Sequence, residues 1–201
     1  AFADLNGRVP LILDSGPCEV GVESTVLDLC ADVPTILRPG GVSLEELRAV
    51  LPDVQVAIRQ TGHGSMPKDV HAEERGQKAP GQLLTHYAPA VPLLLFVGGV
   101  ESMRSAMLAE VRRRREKGEM VGVLVADDDV SVFRGSGALV HSLGDAAAYK
   151  QVAAALFGGL RNLEAAGVEV ILCRDFDEEG LGLAIHDRLL RAAAGKVVET
   201  G

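Results

Sequence analysis

The apolar positions of this chain follow two regimes separated by a polar stretch. From residue 92 onward, short continuous apolar runs alternate with helical stripes. Residues 92–97 are apolar throughout, residues 101–117 carry Met103, Met107 and Val111 at steps of four, and residues 120–126 form a second apolar run closed by three aspartates. Apolar runs separated by amphipathic helices are the pattern of strands buried in a parallel sheet. Residues 138–143 read as a third strand. Residues 145–166 read as a long helix whose stripe is Tyr149, Val152, Leu156, Leu160 and Leu163, stopped by Gly167. A strand over 168–173 and a helix from about residue 179, with Leu181, Ile185 and Leu189 on one side, complete the series. The fold class predicted for this half is α/β, a small Rossmann-like parallel sheet covered by helices on both faces.

Before residue 58 the elements are shorter. Residues 8–14 predict a buried strand ending in the turn sequence Asp14-Ser-Gly-Pro, and residues 22–29 and 35–38 predict an antiparallel hairpin. Ser43 and Glu46 have capping-box spacing, so a helix through Leu44, Leu47 and Leu51 follows. These pieces are too short for a core of their own and read as the tail of a larger α+β domain. Between the halves, residues 59–85 are polar and lack any period, and seven of the nine prolines fall between Pro34 and Pro92. The predicted organisation is therefore 1–58 as the end of one domain, 59–91 as an interdomain linker and 92–201 as an α/β domain.

Composition narrows the function classes. Among the 201 residues no apolar run reaches the 18 or so needed to span a bilayer, so no membrane partner is expected. Cys18, Cys30 and Cys173 lack the spacing of a disulfide framework or zinc site, which predicts a cytoplasmic protein without a bound structural metal. The first eight residues, AFADLNGR, have neither an initiator Met nor a leader pattern, and they read as a cut inside a longer protein. A net charge of -8 argues against a general nucleic-acid surface. The basic run 112–117 ends a helix, where cations complement the dipole and Arg112 can pair with Glu116, so the case for direct RNA contact is weak. His63, His71, His141 and His186 are scattered and read as surface residues. Gly98-Gly99 and residues 175–182 follow strands at the end where α/β sheets bind ligands, but no GxGxxG accompanies them.

The strongest candidate chemistry sits on the hairpin. Pairing of its strands would bring Ser24 within about a residue of Arg38, a hydroxyl beside a guanidinium that can clamp phosphate or carboxylate. Pro39 holds Arg38 extended. The alternative is a solvated edge strand on which the two residues meet incidentally.

The strings SGPCEVGVESTVLDL and TILRPGGVS resemble the end of the YrdC-like domain of the Sua5 family, the two-domain threonylcarbamoyl-AMP synthases. APGQLLTHYAPAVPL resembles that family's interdomain motif, and EEGLGLAIHDRLLRAA its C-terminal segment. The four strings occur in family order across nearly the whole chain. The resemblance implies a nucleotidyltransferase that converts L-threonine, bicarbonate and ATP to threonylcarbamoyl-AMP and pyrophosphate, which supplies the machinery that modifies adenosine 37 of tRNA. It implies that Ser24 contacts L-threonine, that Arg38 contacts the ATP phosphates and that Mg²⁺ arrives bound to the triphosphate. No residue is assigned as catalytic. It also implies that His86 and Tyr87 close the pocket, the alternative being that they anchor the second domain. Many members carry basic residues just before that His, where this chain has Gln82-Leu-Leu-Thr85. The fragment alone is expected to be inactive. The competing function is a regulatory α/β module that binds a nucleotide or a partner without catalysis.

Overall fold

The computed structural model describes residues 5–14, 16, 20–57 and 88–201. Its larger part is built on a sheet of five strands: β4 (Leu93–Gly98), β5 (Val121–Val125), β6 (Leu139–Ser142), β7 (Val170–Arg174) and β8 (Val197–Thr200). The order across the sheet is β6-β5-β7-β4-β8, and every neighbouring pair is parallel. Four helices connect the strands: α2 (Val100–Arg115), α3 (Asp127–Phe133), α4 (Tyr149–Ala165) and α5 (Gly182–Ala192).

Strand side chains alternate between faces, and so do the helices that cover them. Phe96, Val121, Val123, Val125, Val170 and Leu172 pack under α2 and α3, against Met103, Met107, Val111 and Phe133. Leu93, Leu95, Leu124, Ile171 and Cys173 pack on the opposite face under α4 and α5, against Val152, Leu156, Leu160, Ile185 and Leu189. The expected doubly covered parallel sheet is thus present, with the predicted stripes of α2 and α4 facing the core. The helix after β4 lies on one face and the helix after β7 on the other. These adjacent strands therefore mark the point where the chain reverses its winding, and their carboxyl ends part to leave a crevice.

The first part of the chain forms a sheet of its own, β1 (Val26–Asp28), β2 (Thr35–Arg38) and β3 (Gln55–Val56), in the order β1-β2-β3. β1 and β2 are antiparallel as predicted, with Val26 opposite Arg38 and Leu27 opposite Ile36 across an irregularity between Val26 and Leu27. Ser43 caps α1 (Leu44–Arg48) with both arms of the capping box: its Oγ accepts from the Glu46 N–H, and the Glu46 carboxylate accepts from the Ser43 N–H at 2.8 Å.

Several expectations are corrected. Residues 8–14 are not a strand: Leu13 is 89% exposed, and Pro10 has no N–H to give a ladder. The three aspartates that close β5 also begin α3, a helix that was not anticipated, and carboxylates in a first turn complement the helix dipole. In the basic run, Arg113 and Arg114 both bond Glu110, and Arg114 also reaches Glu119, so its acids are these rather than Glu116. β3 and β8 were not anticipated. Among the described residues no helix is long and apolar enough to cross a membrane.

Candidate functional site

Ser24 and Arg38 meet where the first sheet packs on the α4 and α5 face of the larger one. The Arg38 Nη2 donates to the main-chain carbonyl of Ser24 at 3.0 Å, so the guanidinium grips the backbone that carries the hydroxyl. Ser24 is exposed, whereas Arg38 is 8% exposed. The strap, residues 21–25 carrying Ser24, is tied to the loop after β2 by three further bonds. Gly41 N–H donates to the Glu23 carbonyl at 2.9 Å, Val42 N–H donates to Thr25 Oγ1 at 3.1 Å, and that hydroxyl donates back to the Val42 carbonyl at 2.6 Å. Gly40 lets the two backbones meet: a Cβ there would stand 2.2 Å from the Glu23 carbonyl oxygen. The strap and loop are therefore tied together, with the main chain of Ser24 held against the Arg38 guanidinium.

The same unit docks on the second sheet's helices. Val22 joins the core beneath α4 and α5. Gly21, at φ +73°, runs so close to α4 that a Cβ would lie 2.2 Å from Ala154 Cα. Arg188 of α5 is fully buried and gathers three elements at once. Its Nε and Nη2 donate to Glu23 Oε2 at 2.8 and 2.7 Å, Nη2 also donates to the Pro39 carbonyl at 3.2 Å, and Nη1 donates to Asp187 Oδ2 at 2.5 Å. Asp187 in turn accepts from the buried Arg191 at 2.9 Å. α5 is consequently buried well beyond a single apolar stripe.

A groove of about 320 Å³ lies between β2 and α5, lined by Ile36, Leu37, Pro39, Leu183, His186 and Asp187 among others. His186 is not the surface histidine the sequence suggested. Its Nδ1–H donates to Asp175 Oδ2 at 2.7 Å, and Nε2 stands 4.0 Å from Glu178. The bond to Asp175 is the main reason the imidazole pKa is raised, against the opposing effect of burial. Asp175 also lines the crevice at the ends of β4 and β7, about 270 Å³ in volume, together with Gly98, Arg174 and Asp177. Both segments singled out by position after their strands thus converge there. No group of three or more metal-ligating side chains occurs among the described residues.

Of the predicted site residues, Ser24 and Arg38 are brought together, and His86 and Tyr87 lie outside the described residues. Glu23, His186 and Arg188 were missed as members of this neighbourhood. Their only sequence signal was that each sits inside a string already quoted for its resemblance.

Comparison with known proteins follows the same outline. The chain is 35% identical to the threonylcarbamoyl-AMP synthase of Bacillus subtilis (strain 168) over 195 residues, 97% of this chain and 52% of that protein. It superposes on the crystal structure of Pyrococcus abyssi Sua5 complexed with L-threonine with a TM-score of 0.81 and 32% identity, covering 100% of this chain and 54% of that one. A variant of the same Sua5 protein in which an adjacent His and Tyr are both replaced by Ala matches with a TM-score of 0.71 and 31% identity, over 90% of this chain and 48% of that one. The chain spans about half the length of the curated relatives it matches. Because the family model described as "Threonylcarbamoyl-AMP synthase, C-terminal domain" also matches residues 42–194, the chain belongs to the threonylcarbamoyl-AMP synthase family of the Sua5 type.

Proposed function

We propose that this chain is part of an L-threonylcarbamoyladenylate synthase, in which L-threonine, bicarbonate and ATP are converted to threonylcarbamoyl-AMP and pyrophosphate. The product is the activated group that tRNA-modifying transferase machinery consumes. The observation that carries the reading is the superposition of the whole chain on a relative complexed with L-threonine. In this reading Ser24 contacts L-threonine and Arg38 contacts the nucleotide phosphates.

The chemistry requires a carbamate held in line with the α-phosphate and positive charge placed where charge builds during transfer. Arg38, anchored through Nη2 to the Ser24 carbonyl, is a pre-positioned cation of that kind. Mg²⁺ would arrive bound to the triphosphate, where it neutralises phosphate charge. Residues 59–91 serve as the linker between the domains 1–58 and 92–201. In them His86 and Tyr87, the chain's adjacent His–Tyr pair, close the pocket and keep water from the labile mixed anhydride. The proposed setting is the cytoplasm, on the ground that the three cysteines lack disulfide-framework spacing.

The test is pyrophosphate release that depends on both ATP and L-threonine, measured on the longest natural form of the protein containing this sequence. Calorimetry with ATP on Arg38→Ala should show affinity falling by about tenfold or more, as for loss of a charge-assisted phosphate contact. Release independent of L-threonine would sink the reaction, and unchanged ATP affinity would sink the role of Arg38.

A further inference from the structure

We propose that Arg188, on α5 of the larger sheet, is a positioning residue that sets the substrate strap by fixing the backbone on either side of Ser24 and Arg38. The inference rests on the functional reading above for its catalytic consequence, while its geometric half stands alone.

Arg188 acts through the residues that flank the two candidate contacts. It bonds the side chain of Glu23, the residue before Ser24, and the carbonyl of Pro39, the residue after Arg38. The planar guanidinium presents its donors in a fixed fork, so the Glu23 carboxylate and the Pro39 carbonyl held by one fork acquire a defined separation. That separation is the one spanned by the Arg38 to Ser24 carbonyl bond. Asp187 and Arg191, both buried on the same helix, hold the fork in place. Glu23 and Arg188 are 165 positions apart in sequence, so the contact reports tertiary docking rather than local helix chemistry.

A buried ion pair adds little to stability compared with a well-packed apolar contact, and its best-attested use is to specify one arrangement among several. The arrangement at stake here is the register of the strap against the loop after β2. A displacement of about 1 Å at a reacting centre costs on the order of 100-fold in rate. Loss of the clamp should therefore appear in the handling of substrate and not only in unfolding.

The experiment compares wild type with Arg188→Met, Arg188→Lys and Glu23→Gln, using Arg113→Met on the exposed face of α2 as the control for loss of a charge. Hydrogen exchange is read at the amides of Gly41 and Val42, whose acceptors lie on the strap. We expect protection there to fall by about tenfold or more in Arg188→Met while the amides of β5 and β7 stay protected, with partial recovery in Arg188→Lys. In the same proteins, KM for L-threonine or ATP should rise by about tenfold. Unchanged protection at Gly41 and Val42 in folded Arg188→Met would overturn the proposal, as would a variant that loses only the fraction of folded molecules at constant KM. If Arg188→Met does not fold, Glu23→Gln decides by the same two readings. If wild type shows no threonine-dependent turnover, the enzymatic reading fails, and the exchange readings still decide whether Arg188 sets the strap.

Discussion

His186 Nδ1 lies 2.7 Å from Asp175 Oδ2, joining the start of α5 to the end of β7. Glu178 and Asp187 also face the imidazole and favour its charged form. Since the folded pKa is raised above the unfolded value of about 6.5, the pair stabilises the fold fully below that value, and the contribution is lost as pH rises through the higher folded pKa. Urea unfolding between pH 5.5 and 8.5 should show stability declining over that window in wild type. The decline should be shallower in His186→Gln. Identical slopes would show that the pair does not titrate with folding.

Asp129, fully buried in α3, holds two arginines from different elements: Arg104 Nε of α2 at 2.6 Å and Arg174 Nη1 of β7 at 2.8 Å. Replacing it with Ala leaves the buried Arg174 without its carboxylate, whereas Arg104 keeps Glu101, and the expected cost is about 3 kcal/mol. Asp129→Asn keeps the shape and an acceptor and should lose less. Chemical denaturation of the two variants decides the point, and equal, small losses would mean the arginines find water instead.

Gly21 occupies a backbone conformation at φ +73° that side chains disfavour, and it does so against α4. Gly21→Ala must therefore bear about 1–2 kcal/mol of conformational strain and also push the strap away from Ala154. Reduced exchange protection at Gly41 and Val42, with β5 and β7 unaffected, is the expected result. A variant as protected as wild type would show that the close approach relaxes without consequence.

Burial pushes the Cys173 thiol pKa well above its ordinary value, whereas Cys30 is exposed. Thiolate is the reactive form, so alkylation of the native protein near pH 8 should mark Cys30 and spare Cys173 until denaturant is added. Labelling of native Cys173 at the rate of Cys30 would indicate that β7 opens readily.

The parallel sheet and its helices were legible because their apolar spacing is local. Met103, Met107 and Val111, or Val152, Leu156 and Leu160, declare one face within two or three turns. The capping box at Ser43 and Glu46 was readable for the same reason, since both of its bonds close within three residues. Residues 8–14 misled because an apolar run states only that burial would be favourable and says nothing of a ladder partner. On the hairpin, proximity of Ser24 and Arg38 could be anticipated from pairing, but not that the guanidinium would take the carbonyl of Ser24. The Arg188 clamp was invisible because its partners at Glu23 and Pro39 are distant in sequence, and an arginine on an otherwise amphipathic helix looks like a solvated charge until the opposite surface is in place.

The strand order also bears on how this molecule is made. β4 is the first strand of its sheet to leave the ribosome, yet its two neighbours, β7 and β8, are the last two. Hydrophobic residues such as Leu95 and Phe96 must wait for more than seventy later residues before a strand is available beside them. β5 and β6 can pair as soon as both are made, whereas β4, the strand between β7 and β8, stays an unpaired apolar edge until the last two strands arrive.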